Sequence, residues 1–272
     1  MDVKRHRLHF DDGKPVPYRR SPNQSGEIKP RFLVFHYTAG GTASSSVNWL
    51  CDKRAKASAH LVVDRDGSIT QLVDFNRKAW HAGSSRWRDV TGLNGYSIGV
   101  ELANSGPLQR AGDTWRSAWG QTIENDRVVL ATHPHEAHER GWEAFPEAQI
   151  TVARQIALVL TTKYGLEEVV GHQDIAPGRK LDPGPAFPLE GMAALARGRA
   201  EDEGDLASVT ASRLNIRVGP GTEFDTLQVA PLPQGTLVKG LAQADGWQYV
   251  EVLDESGQAH RGWVVSRYLR PV

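Results

Sequence analysis

The sequence lacks the features that mark several large classes of protein. Its 272 residues include one cysteine, Cys51, which excludes an intrachain disulfide, and nothing near Cys51 in the sequence would lower the pKa of its thiol. We interpret it as a small apolar side chain near the end of a helix. Lys plus Arg and Asp plus Glu both number 32, and this balance argues against nucleic-acid binding, which needs surplus cations.

Long apolar runs are also missing. No stretch is long enough to span a bilayer, and no apolar segment of signal-peptide length follows the basic N-terminus. We therefore expect synthesis as a soluble cytoplasmic protein, or a chain from which an export signal has been removed. The content of 39% hydrophobic and 24% charged residues is typical of a soluble globular protein.

Apolar strand patterns alternate with helical ones in the first two thirds of the chain. This alternation predicts an α/β fold with a mixed central sheet flanked by helices. The predicted strands are Arg31–Tyr37, His60–Val63, Ile69–Val73, Tyr96–Leu102 and Val169–Val170, and the predicted helices are Ser44 to about Lys53, Gln149–Tyr164 and Leu189–Arg199.

Changes in composition suggest how the chain is divided. We expect an N-terminal extension over 1–30, a larger domain over 31–200 and a small all-β domain over 208–272. The acidic, glycine-containing stretch within 201–207 is typical of a solvated linker. Residues 105–148 are polar and lack sustained periodicity, so we interpret them as an elaborated loop.

A few polar residues stand out against apolar surroundings. His36 ends the first predicted strand, Glu101 lies within Ile98–Leu102, and His172 and Asp182 bracket a Gly- and Pro-rich loop. Two histidines and a carboxylate, with water in the fourth position, are a known ligand set for catalytic zinc. A lone histidine at a strand end is more often a hydrogen-bonded core residue, and the residues alone leave that alternative open.

Several motifs together resemble the N-acetylmuramoyl-L-alanine amidase family 2, whose fold is shared with peptidoglycan-recognition proteins. The resemblance covers roughly Arg31–Leu189 and keeps the motifs in the family's order. The matching segments are Phe35–Ala39, Ser58–Gly67, Ala79–Gly83, Asn94–Leu102, Trp142–Gln149 and Gly171–Phe187. The run Gly-His-Gln-Asp-Ile-Ala-Pro-Gly-Arg-Lys-Leu-Asp-Pro-Gly-Pro in the last segment is highly specific.

The resemblance implies roles for individual residues. It makes His36, His172 and Asp182 ligands of a Zn²⁺ cofactor, with Glu101 as the catalytic carboxylate and Lys180 as the catalytic lysine. In one branch of the family a tyrosine precedes the residue that matches His60. This chain has Ala59 there, so Glu101 is expected to carry the acid–base work.

Other residues have weaker assignments. His60, Trp80, His81 and Arg179 are candidates for substrate binding, although core packing is an equal alternative for the first three. The run His133–His138 looks like a metal cluster, but Pro134 breaks helical presentation, so a solvated loop is the preferred interpretation. Asp174 is expected to cap its own loop.

The C-terminal segment resembles the bacterial SH3-like domain over about Ser208–Val272. The similarity rests on Ser212–Thr222, Asp245–Val250 and Gly262–Leu269. The resemblance implies a small β-barrel that binds cell-wall peptide or packs against its catalytic partner. Trp247 and Trp263 are interpreted as core residues.

The expected function is therefore zinc-dependent hydrolysis of the amide between N-acetylmuramic acid and L-alanine in peptidoglycan or muropeptides, by a protein that we expect to be a monomer. The alternative is a non-catalytic peptidoglycan-binding receptor. The enzyme would act on the wall after delivery, as a lysin or toxin for example, or in cytosolic recycling. The preference for anhydro-muropeptides or polymeric wall is left open.

Overall fold

The computed structural model describes residues 1–194, 206–254 and 257–272, which form two compact units, Met1–Phe187 and Pro188–Val272. The strands of the first unit are β1 Asp2–Lys4, β2 Arg7–His9, β3 Gln24–Glu27, β4 Phe32–Tyr37, β5 Leu61–Val63, β6 Ile69–Gln71, β7 Arg77–Ala79, β8 Arg86–Trp87, β9 Val90–Thr91, β10 Ser97–Leu102, β11 Pro107–Ala111, β12 Thr114–Arg116, β13 Thr122–Ile123, β14 Val128–Thr132, β15 Glu139–Glu143 and β16 Glu168–Gly171. Its helices are α1 Ala43–Leu50, α2 Glu147–Tyr164 and α3 His172–Ile175.

The centre of the first unit is a mixed sheet of five strands in the order β16-β4-β10-β5-β6. The first four strands run parallel, and β6 closes an antiparallel hairpin with β5. Phe32, Leu33, Val34 and Phe35 of β4 are all fully buried, as expected for a parallel strand covered on both faces. The predicted α/β fold with a mixed sheet is confirmed.

The helices begin and end at residues suited to those positions. Thr42 caps α1 by accepting a hydrogen bond from the Ser45 amide, and Cys51 lies at its C-terminal end, as predicted. Helix α2 buries one apolar stripe and ends at Gly165, whose φ of 62° is the left-handed conformation typical of a helix C-terminus. None of the helices in these described ranges has the length and apolarity that crossing a bilayer requires.

The first thirty residues are part of this unit. Strands β1 and β2 form a hairpin that buries Val3 and Leu8, and β3 pairs with β7. The segment expected as an N-terminal extension therefore belongs to the first compact unit. Each of these strands has only three or four residues, which is too few for a periodic apolar pattern to be recognised in the sequence.

Residues 105–148 form a second sheet where a long loop was expected. Its order is β13-β12-β11-β15-β14, and every neighbouring pair is antiparallel. We call it the inserted sheet. The strands are two to five residues long and bury few apolar side chains, chiefly Leu108, Ile123 and Trp142. An alternating apolar pattern is therefore absent, which explains why the sequence suggested a loop.

A buried carboxylate helps to fix the inserted sheet to the rest of the unit. Glu143 on β15 is 3% exposed and forms ion pairs with Arg65, at 3.0 Å, and with Arg127. Its Oε2 also accepts a hydrogen bond from the Ser105 amide at 2.6 Å. Buried charge needs such partners, so this cluster ties β15 to the β5–β6 hairpin.

The second unit is mainly antiparallel β structure. It contains α4 Leu189–Ala194 and the strands β17 Leu206–Val209, β18 Arg213–Leu214, β19 Leu232–Pro233, β20 Leu237–Ala244, β21 Trp247–Leu253, β22 Ala259–Val265 and β23 Leu269–Pro271. Five strands form an antiparallel sheet in the order β22-β21-β20-β17-β23. Trp263 is buried in its core, whereas Trp247 is half-buried.

The division between the units differs from the expected boundary at residue 200. Helix α4 contacts β20, and a Cβ on Gly191 would lie 2.9 Å from the Trp263 ring, so α4 packs within the second unit. The remainder of the predicted helix to Arg199 and most of the predicted linker lie outside the described residues.

Candidate metal centre and active site

The ends of neighbouring parallel strands bring the predicted site residues together. In the strand register Glu101 of β10 lies beside His36 of β4, and Gly171 of β16 lies beside Phe35. His172 follows Gly171 directly and therefore lies next to His36. Because parallel strands end at the same edge of the sheet, residues distant in sequence meet there.

Three potential metal ligands converge at this edge. His36 Nδ1 lies 3.0 Å from His172 Nδ1 and 2.8 Å from Asp182 Oδ2, and His172 Nδ1 lies 2.9 Å from the same oxygen. All three side chains are buried. Ligands at ~2.0–2.2 Å from a tetrahedral zinc are about 3.4 Å apart, so the observed spacing fits zinc with modest expansion.

The outer nitrogens of the two histidines are held by hydrogen bonds. His172 Nε2 lies 3.1 Å from the Ala82 carbonyl, which can only accept, so the ring proton is on Nε2. His36 Nε2 lies 3.0 Å from His81 Nδ1, and His81 Nε2 faces the Ser97 carbonyl and hydroxyl oxygens. His81 therefore donates to Ser97 and accepts from His36. These contacts leave Nδ1 of His36 and of His172 unprotonated, as metal binding requires.

Electrostatics favour the forms of these residues that bind metal. Burial and the neighbouring His172 lower the pKa of His36 to about 4, despite the opposing effect of Asp182. Burial alone would raise the pKa of Asp182, but its interactions with the adjacent His172 and His36 hold that pKa below its usual range. Neutral imidazole beside an ionised carboxylate is the state that ligates a cation at neutral pH.

Glu101 faces the same site with an uncommitted oxygen. Its Oε2 is buried and has no hydrogen-bond partner among the described residues. Burial raises the pKa of Glu101 well above its ordinary value, and the charge of Asp182 adds to this effect, whereas Lys180 opposes it. A carboxylate with a raised pKa and a free oxygen is suited to taking up and returning a proton.

A cleft of about 510 Å³ contains the centre. Of the predicted site residues it is lined by His36, Trp80, His81, Glu101, His172, Arg179, Lys180 and Asp182. Trp80 is half-buried and donates from Nε1 to Ser25 Oγ at 3.2 Å, and exposed Arg179 donates from Nη2 to the carbonyls of Ala82 and Ser84.

His60 is the one predicted site residue that the structure places away from this cleft. It is fully buried, its Nδ1 accepts from the Gly99 amide at 3.0 Å, and its Nε2 donates to the Arg77 carbonyl at 2.9 Å. Both nitrogens are occupied by the backbone. The expectation of substrate contact is therefore corrected: His60 lies in the core and links the backbone of β10, at Gly99, to that of β7, at Arg77.

Some residues at the site were not identified from the sequence. Tyr37, Thr38 and Trp49 also line the cleft, and Trp49 on α1 is 54% exposed. Tyr37 and Thr38 follow His36 directly, so their positions in the motif could have indicated them. Trp49 carried no comparable signal.

The histidine run is partly different from the expected solvated loop. His133 is fully buried and its ring stacks on Trp142, whereas His135 and His138 are exposed. Asp174 accepts a hydrogen bond from the Gly171 amide at 2.7 Å, which agrees with its expected capping role.

Residues 26–185, more than half of the chain, match the sequence profile of the N-acetylmuramoyl-L-alanine amidase family. The chain belongs to this family. N-acetylmuramoyl-L-alanine amidase AmiD of Escherichia coli K12 is 32% identical over 233 residues, which cover 81% of this chain and 71% of AmiD. The 1,6-anhydro-N-acetylmuramyl-L-alanine amidase AmpD of the same strain is 31% identical over 132 residues, covering 48% of this chain and about half, 54%, of AmpD.

The solved structure of E. coli AmiD in complex with the substrate anhydro-N-acetylmuramic acid-L-Ala-D-gamma-Glu-L-Lys is also similar to this amidase-family chain. The two are 30% identical with a TM-score of 0.46, and the match covers 72% of this chain and 73% of the AmiD chain.

Proposed function

We propose that the chain is a zinc-dependent N-acetylmuramoyl-L-alanine amidase. It hydrolyses the amide between the lactyl group of N-acetylmuramic acid and the L-alanine of a peptidoglycan stem peptide. Family membership and the names of the relatives support the reaction. The observation that carries the proposal is the convergence of His36, His172 and Asp182 beside the free oxygen of Glu101 in one cleft.

The chain's own residues divide the chemistry between them. A zinc ion held by the three ligands would supply an acidified water and polarise the substrate carbonyl. Glu101 takes the proton from the attacking water at Oε2 and passes it to the alanine nitrogen, as the carbon–nitrogen bond breaks. Lys180 donates to the carbonyl oxygen as negative charge develops there. The products are a lactyl carboxylate and a peptide with a free L-alanine amino group.

Replacing Glu101 tests this assignment. Glu101→Gln retains the shape of the side chain but cannot accept the proton, so turnover of a soluble N-acetylmuramoyl-peptide should fall about 10²–10⁴-fold while zinc stays bound. Glu139→Gln changes an exposed carboxylate and is the control. Near-normal turnover of the Glu101 variant would show that another group moves the proton.

The receptor alternative makes a different prediction for the same assay. A non-catalytic receptor would bind muropeptide without releasing peptide, whereas the proposed enzyme releases it. The enzyme is favoured because Glu101 and Lys180, which a receptor does not need, both line the cleft. Every residue of the proposed centre comes from one chain, so a monomer suffices for the reaction.

We further propose that residues 208–272 form an SH3-like barrel that binds the cell wall. The antiparallel sheet of the second unit supports this interpretation. All proposed catalytic residues lie before it. Tethering such a module raises the local concentration of polymeric substrate and gives no advantage with a small diffusing muropeptide.

A further inference from the structure

A buried polar contact joins the inserted sheet to the segment that carries two of the metal ligands. His133 follows β14, is fully buried, and places Nε2 at 3.0 Å from Oε1 of Gln173. Gln173 is 6% exposed and lies directly after His172. Buried polar groups are costly unless partnered, so this contact needs an explanation.

The protonation of His133 follows from its second nitrogen. The backbone amide of His135 donates to Nδ1 at 3.1 Å, so Nδ1 is an acceptor and the ring proton is on Nε2. His133 therefore donates to the Gln173 carbonyl oxygen. Its ring also stacks on Trp142 with centroids 5.6 Å apart and an interplanar angle of 26°. Both the position and the orientation of the donor are fixed by the inserted sheet.

Gln173 in turn connects the two ends of the loop that carries His172 and Asp182. Its Oε1 accepts a second hydrogen bond, from the Gly184 amide at 3.1 Å. Its backbone amide donates to the Asp182 carbonyl at 2.7 Å. Gln173, the residue after His172, is thus bonded both to the backbone of Asp182 and to the backbone of Gly184.

The close packing around Gly184 leaves this arrangement little freedom. Gly184 has a φ of +78°, and a Cβ there would lie 2.8 Å from the Trp142 ring. Trp142 also donates from Nε1 to the Ala131 carbonyl at 3.1 Å. The loop end at Gly184 and His133 therefore both pack against Trp142 of the inserted sheet, and Gln173 bonds to both of them.

We infer that His133 is a positioning residue for the metal centre, acting through Gln173 to set the separation of His172 and Asp182. The inference rests on the proposed zinc-dependent function. Without the His133 donor, one restraint on the Gln173 side chain is lost, so the loop that carries His172 and Asp182 is held less firmly. Small errors in ligand placement weaken metal binding before they unfold a domain. The inserted sheet would then help to set the geometry of the metal centre through His133 and Gln173.

Matched substitutions at His133 test this role. His133→Phe keeps a ring against Trp142 and removes the donor, whereas His133→Gln places an amide donor at the same distance along the side chain. His138→Phe changes an exposed histidine of the same segment and is the control. Zinc affinity is measured by competition with a chromophoric chelator, ligand geometry by the visible absorption of the Co²⁺-substituted protein, and folding by urea unfolding without metal.

The expected result is a zinc affinity about 10-fold weaker in His133→Phe, with an altered Co²⁺ spectrum and a retained unfolding transition. His133→Gln and His138→Phe should resemble the unchanged protein in both metal measurements. Should His133→Phe fail to fold, His133→Asn replaces it, because its amide is one methylene too short to reach Gln173. It should then bind zinc more weakly than His133→Gln.

Two results would overturn the inference while leaving the proposed function intact. One is equal zinc affinity in His133→Phe and the unchanged protein. The other is equal weakening with and without the donor, in Phe or Asn and in Gln, which indicates general packing. If the unchanged protein itself bound no zinc, the proposed function would fail and this inference with it.

Discussion

Replacement of His60 by asparagine should make the stability of the protein less sensitive to acid. Burial lowers the pKa of His60 to about 4 from 6.5, although its bond to the Arg77 carbonyl and the charge of Asp74 oppose the shift. The imidazole also accepts the Gly99 amide hydrogen at Nδ1 and has no room there for a second proton. Between about pH 6.5 and about pH 4, His60 therefore remains neutral in the folded protein, whereas the same side chain is protonated in the unfolded chain.

The sign and size of the effect follow from proton linkage. Above about pH 6.5 neither state binds the proton, so the free energy of unfolding is not reduced by this residue. As the pH falls towards about 4, the unfolded state binds more protons and the folded state loses stability. The difference between a pKa of 6.5 in the unfolded chain and about 4 in the folded protein corresponds to about 3 kcal/mol of stability.

Urea unfolding at a series of pH values, with a chelator present, measures this difference. Asparagine can still accept from the Gly99 amide but does not titrate, so His60→Asn should be less stable near pH 7 and should lose less stability on acidification. His138→Asn is the control because His138 is exposed. Parallel curves for the unchanged protein and His60→Asn would refute the linkage argument.

Three further changes have defined outcomes. Gly99→Ala would place a Cβ 2.4 Å from the ring of His81, which contacts His36, so thermal unfolding should show a loss of about 1–3 kcal/mol and chelator competition a weaker zinc affinity. An unchanged zinc affinity would show that His81 does not support the metal centre. Glu143→Gln should cost about 3 kcal/mol in urea unfolding, since its two arginine partners lose a buried carboxylate, and a cost near zero would contradict this. A chain ending at Phe187 should cleave soluble muropeptides normally but sediment less with cell-wall sacculi, and equal sedimentation would reject wall binding by the second unit.

The central sheet and the candidate metal ligands were accessible from the sequence. Apolar runs predicted β4 and β10 and made the polar His36 and Glu101 stand out, and the family resemblance then implied their roles. The motif from Gly171 to Phe187 supplied His172 and Asp182. Parallel strands that end at one edge of the sheet bring His36, Glu101 and His172 together, and the loop after α3 returns Asp182 to the same place.

The inserted sheet and the roles of two histidines were not accessible in the same way. Short strands with mixed polarity leave no periodic signal, so residues 105–148 resembled a loop. His60 and His133 are both fully buried, yet each is bonded to atoms far away in sequence: Gly99 for His60 and Gln173 for His133. Burial of a polar side chain depends on such tertiary partners, and the residue type alone does not disclose them.

The most direct test of the proposed zinc amidase is the cleavage of a defined N-acetylmuramoyl-tripeptide before and after zinc is restored. The account predicts that chelator-treated protein is inactive and that about one zinc per chain restores activity. Mass spectrometry should then find a lactyl carboxylate and a tripeptide with free L-alanine, and His172→Ala should neither retain zinc nor recover. Full activity in metal-free protein, or cleavage at a different bond, would contradict the account.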